Sequence, residues 1–266
     1  MSNRPVFSNK VAENYEKLMG PLFFESYAID MVSRIPANTN SILEIAAGTG
    51  QVTRLLKTKF PNARIVGTDL NPGMIETAKQ VINANDKIEW MIADAMELPF
   101  ESNAFDSVLC QFGLMFVPDK QIAVNEAFRV LNYEGKYIFN TWDKIENNFI
   151  YKIANEVTNS FFKEEPIPFW GIPFSMYEPD EFSSLMSSAG FKNIKIQKVK
   201  KEGHTASALN AASALTLGTP MYSFLAERNE KLIPEIINKV TEAISKKFGE
   251  KDLKVVNSAW VIEGEK

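Results

Sequence analysis

Three carboxylates and two glycines stand at spacings that suit a small charged ligand. Glu44 closes the apolar run "SILEIA", and Gly48 and Gly50 follow within "AAGTGQVT" before helical spacing begins. A strand–Gly-x-Gly–helix junction lays the backbone bare, and the first helical N–H groups attract an anionic or carbonyl group. The same turn also serves where a strand and a helix need only pack closely. Asp69 ends the next strand, 19 residues past Gly50, and Asp94 ends the one after, 25 residues past Asp69. In a doubly wound sheet the first position faces ribose hydroxyls, and a carboxylate can accept from both. A second acceptor at Asp94 suits an exocyclic amine such as that of adenine. Either acid alone would equally cap a helix or hold a turn; the ordered set argues for a nucleoside.

The far end of that nucleoside is also constrained. Gly48-Thr49-Gly50-Gln51-Val52-Thr53 has no third glycine where the dinucleotide fingerprint needs one, and no lysine follows in the P-loop manner. The ligand expected is an adenosine whose far end is not a di- or triphosphate, which counts against a nicotinamide dehydrogenase.

The elements that must hold these residues alternate. Strands are expected at 41–46, 63–69, 87–94, 105–111 and 135–142, with helices at 52–60, from Pro72 through about Ala84, and at 120–131 after a cap at Asp119. Nearly continuous apolar strands with amphipathic helices between them predict a parallel sheet covered on both faces, with right-handed crossovers. Lys10 to Ile35 reads as helical with a break at Gly20-Pro21. After Trp142 regularity stops. Residues 143–190 form a helical and aromatic insertion. A sixth strand at 192–200, a helical block and a last strand at 253–264 complete the pattern. Four divisions of one structural domain follow: a cap (1–40), a cofactor core (41–142), the insertion (143–190) and the last two strands with their helices (191–266).

The segments "ILEIAAGTGQVT", "IVGTDLNPGMIETAK", "WMIADAMELPFESNAFDSVLCQFGLMFV" and "AFRVLNYEGKYIF" resemble the successive motifs of class I S-adenosylmethionine-dependent methyltransferases, in the small-molecule branch that includes the ubiquinone/menaquinone C-methyltransferases. The resemblance covers residues 41–142. It implies a Rossmann-like, seven-stranded, mostly parallel α/β sheet with helical lid insertions, and S-adenosyl-L-methionine as cofactor. It implies that Ala46, Gly48, Thr49 and Gly50 pass under the methionine portion, with Glu44 ordering the ammonium. Asp69 would hold the ribose diol. Leu70 and Met74 would line the adenine, and Asp94 with Ala95 would read its amine edge. Gln111 and Phe112 would border the methyl group, and Tyr15 would close over the cofactor. Two positions depart from the family pattern. Ala46 stands where the turn usually opens with glycine, and Tyr133-Glu134-Gly135 replaces the usual Pro-Gly-Gly.

Outside those motifs, His204 is the sole histidine, read either as a base in the lid or as a solvent-exposed loop residue. Trp142 is either a substrate wall or plain packing. Phe161, Phe162, Phe169, Trp170, Phe174 and Tyr177 form either a small core or the pocket of an apolar or aromatic acceptor. Cys110, the sole cysteine, reads as a buried small side chain and permits no intramolecular disulfide, which suits a cytoplasmic protein. No His/Cys cluster has metal-ligand spacing, so no metal is expected. A net charge of −4 argues against a nucleic-acid partner. No run reaches transmembrane length, so no membrane insertion is expected. The partner expected is a small-molecule methyl acceptor, and the chain a monomer or homodimer. The competing reading is a non-catalytic S-adenosylmethionine-binding protein whose helical lid engages a partner.

Overall fold

A computed structural model describes residues 14–83 and 86–266. The expected helical residues before Asn14, and Ala84, lie outside them. Seven strands form one sheet: β1 (Ser41–Ile45), β2 (Arg64–Asp69), β3 (Glu89–Ile92), β4 (Phe105–Gln111), β5 (Leu131–Trp142), β6 (Lys192–Ser207) and β7 (Lys251–Glu265). Their order is β3-β2-β1-β4-β5-β7-β6. The first five are parallel, and β7 runs antiparallel to both β5 and β6. This is the doubly wound, mostly parallel sheet expected from the alternation. Besides single 3-10 turns, ten longer helices occur among the described residues: α1 (Tyr15–Phe24), α2 (Glu25–Ser33), α3 (Gln51–Lys59), α4 (Pro72–Val81), α5 (Lys120–Val130), α6 (Phe149–Ser160), α7 (Pro179–Ala189), α8 (Ala208–Leu217), α9 (Met221–Asn229) and α10 (Ile233–Phe248).

Sequence chemistry sets the helix starts. Asn71 Oδ1 accepts from Gly73 N at the head of α4, with Pro72 in the first turn, and Asp119 Oδ1 accepts from Ile122 N at the head of α5. One sheet face is covered by α2, whose buried Tyr27 donates to Asn257 O at 2.7 Å. The other is covered by α7, whose Phe182 packs on Phe139 and Trp260. Buried Ile233, Ile236, Val240 and Ile244 seat α10 against the helical block.

Two expectations fail for physical reasons. The break at Gly20-Pro21 is absent. The chain stays helical in wider i→i+5 turns, with Pro21 inside α1 and Glu25 N donating to Gly20 O. A widened turn tolerates the ring and the missing N–H that an ordinary helix interior rejects. Strand β6 does not stop at Lys200. Its ladder with β7 continues to Ser207↔Lys251, so each peptide of "KEGHTAS" lies in the sheet rather than in a loop. The alternating charges that read as loop are the solvated face and edge of a long strand.

Candidate functional site

Strands β1 and β4 are neighbours, yet the chain leaves them towards opposite sides of the sheet. Ligands bind at such a switch point, outside the carboxyl ends of the strands. Here those ends, with the turn after β3, surround a cavity of about 290 Å³. Four residues around it hold left-handed backbone: Ala46 (φ 54°), Gly48 (φ 57°), Gly50 (φ 82°) and Phe112 (φ 49°). The two glycines do different work. A Cβ on Gly48 would meet nothing within 4 Å, so its bare backbone faces open space. One on Gly50 would lie 2.7 Å from Ile82 Cδ1 and 3.0 Å from the Trp90 ring, so that glycine serves strand–helix packing. Both readings of the turn are realised, one at each position.

Alanine and phenylalanine in left-handed backbone carry strain of order 1–3 kcal/mol each, which surrounding structure must hold. Phe112 is fixed by its N–H donating to Asn140 Oδ1 at 2.8 Å and by its ring stacking on Trp142 at 3.9 Å. Ala46 is accommodated by Gly113, where an added Cβ would come within 2.4 Å of the Ala46 methyl. The departure at Ala46 is thus matched across the turn.

The acids are poised differently. Asp69 Oδ2 accepts from Gly48 N at 2.9 Å and Oδ1 from Asn71 N at 2.8 Å. The two oxygens together offer about four lone-pair sites, more than these backbone donors use, so acceptor capacity remains for a ligand. Burial raises the Asp69 pKa above the usual carboxylate value, opposed by the N–H groups of Asn71, Gly48 and Leu70. Asp94 Oδ1 accepts from Met96 N at 2.9 Å, which sets its side chain in the wall. Glu44 is buried at the end of β1 and accepts from the Thr53 hydroxyl. Burial pushes its pKa up to about 8 against that hydrogen bond, with the negative Asp69 adding to the rise. Tyr15, from α1, also lines the cavity. Burial, then Asp69, Glu16 and Glu44, raise its phenol far above the ordinary value, so it stays a hydroxyl donor. Its ring stacks on Phe24 at 4.9 Å, and the neighbouring Glu16 ties α1 down by accepting from the Thr49 hydroxyl and pairing with Arg54 at 2.7 Å.

Of the residues singled out from sequence, Tyr15, Ala46, Gly48, Asp69, Leu70 and Met74 line the cavity, as do Asp94, Ala95, Gln111 and Phe112. Glu44 and Thr49 line a smaller adjoining chamber instead, and Gly50 lines neither. Trp142 stands behind Phe112, outside the lining. His204 is 59% exposed on β6, its Nε2 3.3 Å from Glu202 Oε1, and is absent from the lining. Trp170 and Phe174 pack with Tyr151, and Phe174 with Trp142, as part of the core; Phe169 packs on Trp170 and Phe224, Phe161 and Phe162 are half-buried against the core, and the Tyr177 ring carries Lys144. None of the six lines the cavity. Cys110 is buried, which pushes its thiol up to about 12. Among the described residues no cluster of three or more His, Cys, Asp or Glu side chains could hold a metal ion. Nor is any helix there long and apolar enough to cross a membrane.

Sequence reasoning missed Phe116, Val117 and Pro118, which close the cavity from the turn after β4, and also Asn71 and Pro72. The signal was present, since "LMFVP" follows a strand whose carboxyl end had already been assigned to the site.

Residues 43–139 match the family model described as a methyltransferase domain. The chain is 28% identical over 217 residues to the ubiquinone/menaquinone biosynthesis C-methyltransferase UbiE of Rickettsia bellii, covering 73% of this chain and 86% of that protein. Among solved structures, Haemonchus contortus phosphoethanolamine N-methyltransferase 2 in complex with S-adenosyl-L-methionine is similar at a TM-score of 0.62 and 16% identity, over 98% of this chain and 57% of that one. The [4+2]-cyclase SpnF is similar at a TM-score of 0.60 and 14% identity, over 97% and 93%. Both structural likenesses establish the fold alone, which evidently carries more than one kind of chemistry.

Proposed function

We propose that this chain, which carries a methyltransferase domain at residues 43–139 and resembles the ubiquinone/menaquinone C-methyltransferases, transfers a methyl group from S-adenosylmethionine to a small apolar or aromatic molecule at the Phe112 end of the cavity. One observation carries this reading. The cavity has carboxylates, Asp69 and Asp94, along one side, while Tyr15, Phe112, Phe116 and Val117 supply aromatic and apolar wall. The residues present fit the cofactor. Gly48 leaves room for it, Asp69 has lone pairs to spare, and Gln111 Oε1 is buried without a hydrogen-bond partner among the described residues.

In this reading Asp69 would accept from the ribose hydroxyls, Asp94 and Ala95 would read the adenine amine edge, and Leu70 and Met74 would flank the base. Ala46, Gly48 and Thr49 border the methionine portion with Gln111, and Gly50 holds the turn. The cofactor supplies an electrophilic methyl group on a sulfonium. Tyr15 and Phe112, which line the cavity, would supply aromatic rings near that positive charge, a contact worth about 0.5–2 kcal/mol. The larger contribution is alignment, since fixing nucleophile and methyl in line supplies on the order of 7–11 kcal/mol. The strained Phe112, locked by Asn140 and Trp142, gives the wall against which an acceptor is aligned. Trp142 acts through Phe112 and does not touch the acceptor.

The test is to incubate the protein with S-adenosylmethionine labelled in its methyl group and a small-molecule extract. Label should move into a low-mass apolar product. Label found only in protein or nucleic acid would contradict the proposal.

A further inference from the structure

Helix α1 reaches the main cavity through Tyr15 alone among its residues, and its packing is chiefly with α2, α8 and β6. Towards α3 it faces a groove of about 180 Å³, lined by Glu16, Gly20 and Pro21 from α1 and by Gln51, Arg54 and Leu55 from α3. One carboxylate bridges that gap. Glu16 Oε2 accepts from the Thr49 hydroxyl, and Oε1 accepts from Arg54 Nη1 at 2.7 Å. Thr49 is buried in the turn between Gly48 and Gly50, and Arg54 belongs to the helix that this turn opens. Both oxygens of Glu16 are therefore engaged, and both partners lie on the segment that borders the cavity from the β1 side.

We propose that Glu16 is a positioning residue: by tying α1 to the glycine turn it keeps the Tyr15 ring in place beside the cofactor's sulfonium. The proposal rests on the cofactor reading above. Tyr15 and Glu16 are consecutive on one helix, so a tie at the second fixes the place of the first. A ligand that must first order α1 loses affinity in proportion to the fraction of molecules with that helix seated. The loss is not the same for every ligand. Cationic S-adenosylmethionine gains from an aromatic face, whereas the neutral thioether of S-adenosylhomocysteine does not. Loss of the tie therefore changes the ratio of the two affinities, and a general loosening of the fold leaves that ratio alone. Arg54 separates the tie from a plain field effect of the Glu16 charge. Removing Arg54 breaks the tie, yet it leaves the acid uncompensated and the field more attractive to a cation.

The test measures calorimetric binding of S-adenosylmethionine and S-adenosylhomocysteine to the wild type, Glu16→Gln, Arg54→Gln, Tyr15→Leu and the double variant Tyr15→Leu/Glu16→Gln. Glu16→Gln and Arg54→Gln should each weaken S-adenosylmethionine about tenfold and S-adenosylhomocysteine only about threefold. In the Tyr15→Leu background, Glu16→Gln should no longer alter the ratio, because the ring through which it acts is gone. Thr49→Val removes the turn-side hydrogen bond alone and should lower the ratio in the same direction; it replaces any single variant that does not melt cooperatively. Equal weakening of both ligands would overturn the proposal, as would tighter S-adenosylmethionine binding by Arg54→Gln or a ratio change that persists without Tyr15. Failure of the wild type to bind either ligand would instead overturn the cofactor reading itself.

Discussion

The two ends of the sheet answer opposite demands. At the carboxyl edge of β1, β2 and β4, backbone sits in left-handed conformations at Ala46 and Phe112, and buried acceptors at Gln51 and Gln111 are left without partners. In the β6–β7 pair the charges are instead matched. Asp143 is buried and held by Asn147, Ser258 and Lys198, and Arg34 joins Asp30 to Glu263. Lysines at 192, 195, 198 and 200 punctuate the outer strand, which discourages pairing with another chain. Left-handed backbone and unmet hydrogen bonds also occur on β6 and β7, at Asn193, Asp252, Asn257 and Trp260, so it is the ion pairing of the acids that separates the two regions.

Breaking the ligand side should cost the most affinity. Asp69→Ala removes both ribose acceptors and should weaken S-adenosylhomocysteine by roughly 100-fold in calorimetry, since hydrogen bonds to charged groups contribute about 1.5–3 kcal/mol each. It also unties Gly48 and Asn71, so the melt should fall too. Breaking the scaffold side should do the reverse. Asp143→Ala should cost about 1–3 kcal/mol in denaturant unfolding, discounted from a fully buried pair because Lys198 is 41% exposed, with cofactor affinity unchanged. Lost affinity there would blur the contrast.

A double substitution sharpens the account of strain. Gly113→Ala sets two methyls about one bond-length too close and should destabilise by about 1–3 kcal/mol. Adding Ala46→Gly should restore most of that, because Gly113 itself has ordinary backbone (φ −104°). Failure of the rescue would show that the Cys110 sulfur, 2.9 Å from the added carbon, is the real obstacle.

The pH dependence carries a definite sign. Glu44 titrates near 4.5 when unfolded and at about 8 in the fold. The folded protein therefore binds the extra proton between those values, and stability should fall as pH rises through that window. Asp69 is also raised and acts in the same direction. Glu44→Gln should flatten most of the slope in melts across that range; an unaltered slope would reassign it. The smallest effect belongs to His204→Ala. Exposed on β6 and off the cavity lining, it should change stability by less than about 0.5 kcal/mol and leave cofactor affinity untouched.

Much of this was legible because it depends on local pattern. Asp69 and Asp94 close apolar runs, and Gly48 and Gly50 punctuate a strand–helix switch, so order and spacing carry the sheet and the acids, while Tyr15, Leu70, Met74, Ala95, Gln111 and Phe112 are legible only through the family resemblance. What was not legible depends on partners distant in the chain. His204 lies in a strand because β7, some 50 residues later, continues the ladder. Pro21 stays within a helix because the turns widen around it. The aromatics after Phe161 divide between core and surface according to where Tyr151 and Trp142 stand.

The central claim is tested most directly by the crystal structure of the protein grown with S-adenosylhomocysteine. The ribose should lie on Asp69 and the adenine amine on Asp94, with the amino-acid end running past Gly48 towards Gln111. A ligand bound elsewhere, or a cavity left empty at saturating concentration, would contradict it.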